Sequence, residues 1–260
     1  MMSFQSNMSE SANLSPEPTV LYEDADVLVI NKPSGLAVHG RGADPAGTVV
    51  AWLLGRAPEA RGVGEPRIGS DGQELERSGI VHRLDRETSG VMILAKNQSA
   101  FDHLKAQFKA RLVKKLYRAI VYGRMNESWG TIDRPIGRSA KDWRRRSAER
   151  GAKGTLRDAV THWECCGVGE CDGEAFSYVK LRPETGRMHQ LRVHLKAIDR
   201  PIVGDVLYAG KRTEQSNNLG LTRLALHAHE LELLLPRGER ERFVAPLPEE
   251  LIVAVDQIVS

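Results

Sequence analysis

Short apolar runs broken by polar turns, more than long amphipathic periods, set the pattern of this chain. Residues 26–30 read as a buried strand, and Asn31-Lys32-Pro33-Ser34-Gly35 supplies the Pro and Gly of the turn that ends it. Val91-Met92-Ile93-Leu94-Ala95 is a second apolar strand. Residues 115–123 alternate instead, with Tyr117, Ala119 and Val121 on one face and Leu116, Arg118, Ile120 and Tyr122 on the other. Residues 159–165 and 176–181 predict two strands across a Gly-rich turn, and 224–228 another in which Leu226 and Ala228 share a face. Helical spacing is confined to 48–54, to 100–112, to the stretch punctuated by Thr185 and Gly186, and to 249–258 behind Pro248. One helical face collects Phe101, Leu104, Phe108 and Leu112, another Met188, Leu191, Leu195 and Ile198. Residues 56–79 and 212–219 carry no period and predict loops.

Charge interrupts the pattern in three places. His82-Arg83-Leu84-Asp85-Arg86-Glu87-Thr88-Ser89-Gly90 lies between Ile80-Val81 and the strand at 91–95, so its charges are pinned against a core. A carboxylate at Asp85 flanked by Arg83 and Arg86 favours its ionised form, which suits a nucleophile or base more than a proton donor. The plainer alternative is a turn whose charges pair with one another. Arg192 sits at the border of its helix's apolar stripe. A guanidinium there is costly unless it meets a carboxylate, for which Asp85 is a candidate, or snorkels to water. Residues 134–157 hold nine Arg and Lys against Asp142 and Glu149, with Trp143 interleaved, a sign-biased loop of the kind that contacts phosphates.

Composition adds bounds. The 260 residues suffice for one large domain or two small ones, and 41% hydrophobic with 27% charged residues is ordinary for a globular chain. The net charge of +3 and pI near 8.8 are only mildly basic, so a polyanion must be met by local clusters. Cys165, Cys166 and Cys171 form no disulfide framework, which fits a reducing compartment. Although His162 lies near them, the spacing matches no usual zinc pairing, and no metal is expected. Residues 1–19 are Ser-, Asn- and Glu-rich with no apolar segment. They predict a disordered tail rather than a signal or an anchor, and a cytoplasmic protein with no membrane span.

The charged nonapeptide at 82–90 resembles the signature motif of the RluA family of RNA pseudouridine synthases, in which the Asp is catalytic, here Asp85. The resemblance extends from about Tyr22 to Leu251. Asn31 to Leu36, with Val38 and His39, resembles the family's first motif. The Lys-x-Tyr-x-Ala-x-Val-x-Gly stretch at 115–123 resembles its second, whose Tyr, here Tyr117, stacks on the target base. Thr185-Gly186-Arg187-Met188-His189-Gln190-Leu191-Arg192 is similar to the third, whose second Arg, here Arg192, pairs with the catalytic Asp. Pro201-Ile202-Val203-Gly204-Asp205 with Tyr208 looks like a family turn, and Leu226 falls on the strand that lines the uracil pocket.

This resemblance implies an α+β domain over 20–260, with a mixed, mostly antiparallel sheet and a central catalytic cleft flanked by helices and loops. It implies isomerisation of uridine to pseudouridine in structured RNA, with large-subunit ribosomal RNA as the first expectation and transfer RNA as the second. Arg83 would fill the vacated base stack or hold phosphate. Arg86, Arg144, Arg145, Arg146 and Arg187 would contact RNA. No cofactor or metal is implied, and a monomer is expected. Many members carry an N-terminal S4 domain, for which the stretch before Val20 is too short.

Three other classes compete for the same residues. Protein kinases carry His-Arg-Asp, but Leu84 intervenes here, and neither Asp-Phe-Gly nor a glycine-rich phosphate loop accompanies it. A glycoside hydrolase needs a second carboxylate, for which only Glu87 is near, without an apolar setting. A non-catalytic RNA-binding protein would keep the basic loop without needing an Asp–Arg pair.

Overall fold

The structure, a computed structural model, describes residues 17–40, 46–66, 68, 72, 75–149, 151–213 and 217–259. It opens with β1 (Thr19–Glu23) and β2 (Val27–Lys32), an antiparallel pair in which Thr19 already opposes Asn31. Residues 17–19 of the expected tail are thus described, while 1–16 lie outside the described residues. Helix α1 (Val49–Arg56) is capped by the Thr48 hydroxyl, which accepts the Ala51 N–H. Strand β3 (Ser89–Ala95) is buried along its whole length, as its unbroken apolar run demands. Helix α2 (Gln98–Ala110) starts on the Asn97 side chain and stops where Arg111 turns left-handed at φ 60°. That stop lies two residues before the expected end, so Leu112, assigned to the buried face by spacing, is instead 58% exposed.

Strand β4 (Lys114–Tyr122) follows, then β5 (Trp129–Asp133), whose mixed composition gave no strand signal. The basic stretch expected as a loop is largely ordered. Strands β6 (Ile136–Arg138), β7 (Arg146–Ser147) and β8 (Lys153–Arg157) form a separate antiparallel sheet in the order β7-β6-β8. Ile136 anchors it in a small cluster with Val193 and Tyr208. Arg150 lies outside the described residues. Strands β9 (Val160–Cys171) and β10 (Glu174–Pro183) make a long hairpin, and α3 (Gln190–Ala197) follows. Strand β11 (Leu226–Leu234) runs six residues past its expected end and pairs with β12 (Arg240–Val244). Cross-strand ion pairs such as Arg242–Glu230 fill the exposed face of that pair, which hid both segments from a hydrophobic reading. Helix α4 (Glu249–Val259) closes the chain, burying Leu251, Ala254 and Ile258.

The nine-stranded main sheet runs β1-β2-β3-β11-β4-β10-β9-β5, with β12 beside β11, and only the β3–β11 pair is parallel. This is the mixed, mostly antiparallel α+β architecture expected. The parallel contact is short, His227 to Ser89 and Ala228 to Gly90. At Gly90, φ is 118° and any Cβ would collide with the Ala228 backbone, so only glycine lets the strands meet. One core cluster, including Ile30, Leu53, Met92 and Leu104, lies around β2, β3 and α2. A second, including Ile120, Phe176, Leu195 and Ile258, lies around β4, β10, α3 and α4. Tyr117 is partly buried against both. The two halves of the molecule therefore part at the middle of the sheet, and the cleft opens there.

Candidate active site

Asp85 stands on a turn held from behind by the segment after β2. Lys32 is fully buried, and its Nζ donates to the carbonyls of Pro33, Leu36 and Arg86 at 2.8, 2.8 and 3.0 Å. Burial pushes its pKa down to about 7. The Gly35 N–H donates to the Arg86 carbonyl, Arg86 Nε donates back to the Gly35 carbonyl, and the Ser34 hydroxyl donates to the Glu87 carbonyl. The motif at 31–36 and the signature motif at 82–90 are thus one interlocked pair of turns. Leu84 is buried in the adjacent core. His82 stacks on Phe108, and its Nε2 accepts the Ile93 N–H, so this motif histidine is structural. Burial pushes its pKa down to about 3, which keeps it a neutral acceptor.

The flanking guanidiniums do not pair with Asp85 among the described residues. Arg83 Nη1 lies 3.1 Å from His39 Nε2, and Arg86 is engaged with Gly35. The carboxylate meets Arg192 instead, whose Nη1 is 3.3 Å from Asp85 Oδ2. Arg192 is buried rather than bordering its stripe, because α3 begins only at Gln190, later than Thr185 and Gly186 suggested. The intervening turn is tied down by Gln190, whose Oε1 accepts from the Thr185 hydroxyl and the Arg187 N–H.

The sequence reading missed the principal partner of Arg192. Nε and Nη2 each donate at 2.7 Å to the carboxylate of Asp205, a two-pronged bond. Asp205 is itself buried, and its Oδ1 also accepts the Leu207 and Tyr208 N–H groups. The Tyr208 ring lies 5.1 Å from the guanidinium carbon. Burial opposes the charge on Arg192, but its bonds to Asp205 and the charge of Asp85 outweigh it, and the pKa is raised. The signal was available: Pro-Ile-x-Gly-Asp ends in an acid held by a tight turn. At Gly204, φ is 72°, and any side chain would strike the Arg223 backbone.

His189 was also missed. It takes the left-handed conformation, φ 57°, just ahead of α3, an uncommon state for a residue other than glycine. Its Nδ1 lies 2.9 Å from the Tyr208 hydroxyl, which accepts the Arg146 N–H, and its Nε2 is 3.9 Å from Asp85 Oδ1. Burial pushes its pKa down, against the pull of Asp85. With Tyr208 donating to Nδ1, the remaining ring proton faces the carboxylate.

Asp85, His189 and Arg192 line a cavity of about 590 Å³, a volume suited to a nucleoside. Asp85 opens into it, its side chain 18% exposed, and Tyr117 and Leu226 form part of its walls. Burial, then the charge of Asp85, raises the Tyr117 pKa, so it presents an un-ionised phenol. Arg83 and Arg187 line the same cavity, the latter donating from Nε to the Asp158 carbonyl. Arg146 reaches the rim, its Nη2 3.2 Å from the sulfur of Met188, whereas Arg144 and Arg145 fold onto Asp142 beside the 79% exposed Trp143. Glu87 does not line the cavity. Glu184 does, but it pairs with His162 at 2.7 Å. Among the described residues, no group of three or more His, Cys, Asp or Glu is placed to hold a metal ion.

An Asp–Arg–Asp chain with an aromatic wall can hold a flat ring against one carboxylate. The family described as RNA pseudouridylate synthase matches residues 26–197, which include Asp85, Tyr117 and Arg192. The chain belongs to this family. An RNA pseudouridine synthase of Synechocystis is 41% identical over 92% of this chain and 69% of its own length. The ribosomal large subunit pseudouridine synthase D of Xanthomonas campestris is 42% identical over 89% of this chain and 66% of its own. The chain thus spans about two thirds of the length of these relatives. Among solved structures, human RNA pseudouridylate synthase domain containing 1 superposes with a TM-score of 0.70 at 29% identity, covering 89% of this chain and 84% of the human one. A pseudouridylate synthase fold therefore underlies the cleft.

Proposed function

We propose that this protein isomerises uridine to pseudouridine in structured RNA, with Asp85 as the catalytic carboxylate. The observation that carries this reading is the carboxylate of Asp85, open to the cavity and fixed by an Arg192 that Asp205 locks from behind. The uridine leaves its stack and enters the cavity between Tyr117 and Leu226, since a stacked base cannot be turned. Asp85 acts at the sugar as nucleophile or base. The N1–C1′ bond breaks, the uracil rotates in place, and a C5–C1′ bond forms, with the proton lost at C5 balanced by the one gained at N1. This sequence transfers no group to water and changes no oxidation state, so it needs no cofactor. Tyr117, as a neutral phenol, offers a flat face and a hydrogen-bond donor rather than a base. Arg83, beside Asp85, supports the vacated stack or the phosphate.

Large-subunit ribosomal RNA is the proposed substrate, supported by the names of several relatives, among them synthase D of Xanthomonas campestris and of Pseudomonas aeruginosa. No helix among the described residues is long and apolar enough to cross a membrane. The test is incubation with uridine-labelled ribosomal and transfer RNA. Pseudouridine in the ribosomal RNA, lost in Asp85→Asn while RNA binding persists, is the expected result. Free uracil would identify a glycosidase, binding without product a non-catalytic relative, and product only in transfer RNA the second substrate.

A further inference from the structure

Many of the cations on this protein meet a carboxylate. Arg56, Lys114, Lys180, Arg223 and Arg242 each meet a carboxylate, and Arg144 and Arg145 share Asp142. The cavity wall built from the end of α2 and the start of β4 differs. Lys109, Arg111 and Lys115 all line the cavity, and among the described residues no carboxylate pairs with any of them. The nearest acceptor of Lys115 Nζ is the Thr185 carbonyl at 3.5 Å, at the limit of a hydrogen bond. Burial, then the neighbouring charge of Arg111, pushes the Lys115 pKa down to about 8, the mark of an ammonium short of an anion. The carbonyls at the C-terminus of α2 account in part for cations at Lys109 and Arg111. They do not account for Lys115, which stands on a strand. The acids of the same cavity are committed elsewhere, Asp85 to Arg192 and Glu184 to His162.

We propose that Lys109, Arg111 and Lys115 form a phosphate-binding site for the RNA backbone next to the target nucleotide. The site rests on the proposed function for its ligand, and it moves the main electrostatic contact away from the Arg-rich hairpin at 143–146. Three cations without partners on one wall release more counterions on meeting phosphates than arginines already held by Asp142. Leaving the wall unpaired also keeps it ready for a strand that must be drawn out of a helix.

The test measures binding of a fluorescein-labelled RNA stem-loop with a uridine in its loop, over a series of KCl concentrations. The variant Lys109→Gln/Arg111→Gln/Lys115→Gln is expected to lose at least about tenfold in affinity and to flatten the log–log salt slope by about 2, at ~0.7 per lost single-strand phosphate contact. Because Lys115 is partly buried, Lys109→Gln/Arg111→Gln is measured too, with a slope change of about 1 to 1.5. Arg144→Gln/Arg145→Gln is expected to change the slope by less than about 1. Unchanged slopes in both wall variants, or a larger change in the hairpin variant, overturn the site. Pseudouridine formed by the wild type in the same RNA then shows that the function stands without it. Flattened slopes, with no pseudouridine formed by the wild type in ribosomal or transfer RNA, support the site and overturn the function.

Discussion

Two carboxylates share Arg192, and their surroundings could hardly differ more. Asp205 is sealed in a turn after α3, takes two 2.7 Å bonds from the guanidinium, and accepts two further backbone N–H groups. Asp85 has one 3.3 Å contact and an open side toward the cavity. An acid anchored by four hydrogen bonds is spent on structure, whereas one oriented by a single longer contact keeps lone pairs free. The buried member fixes the arginine so that the exposed member can be held lightly. A charge pair so deep is costly unless complete, which makes the Asp205–Arg192 bond a structural commitment, while the Asp85 contact leaves its carboxylate open to the cavity.

Breaking the exposed side should cost activity alone. Asp85→Asn is expected to lower pseudouridine formation by at least about a thousandfold, with little change in the urea midpoint. A large loss of stability would show that Asp85 belongs to the scaffold. Removing the shared arginine should strike both sides. Arg192→Met leaves a buried acid unpaired and is expected to lower unfolding free energy by about 3–5 kcal/mol as well as abolishing product.

The turn behind Asp85 has its own buried charge. Lys32→Met strands three carbonyls and should cost about 2–4 kcal/mol near neutral pH, read from urea unfolding. Because the folded pKa of Lys32, about 7, lies below its ordinary value of 10.5, the unfolded chain binds the extra proton between those limits. Stability contributed by Lys32 therefore rises with pH across that window, by up to about 1.4 kcal/mol per unit. The gap between wild type and Lys32→Met should widen from pH 7 toward 10; a gap that narrows contradicts the burial of a charge there. The smallest effect is expected for Asp205→Asn, which keeps the shape and the acceptor for backbone N–H groups. It should lose about 1–3 kcal/mol of stability and about ten- to a hundredfold in kcat, with RNA affinity unchanged. A kcat equal to wild type would separate the two carboxylates altogether.

Much of this was legible in one dimension. The apolar runs of β2 and β3, the alternation of β4 and the spacing of α2 follow from local chemistry, since a strand buried on both faces or a one-sided helix has few other sequences available. Asp85, Tyr117, Arg192 and Leu226 were named on the chain and lie around one cavity. Strands β5 and β12 escape a hydrophobic reading because they present polar side chains to water, and β1 because it is only five residues long at the sheet edge. The ordering of the 134–157 segment was hidden because its small sheet borrows its apolar anchor, Val193, from α3.

By itself the sequence determined which side chains are capable of this chemistry and the local elements that carry them. Only the tertiary structure decided their partners. Arg83 and Arg86 adjoin Asp85 along the chain yet turn to His39 and Gly35, while Arg192, Asp205 and His189 converge from more than a hundred residues away. Adjacency in sequence fixes the path of the backbone but not which groups the side chains of a turn will reach. Which charges meet depends on where distant turns are packed, and here that was decided by a parallel strand contact that only Gly90 allows and by a buried acid that holds the arginine in place.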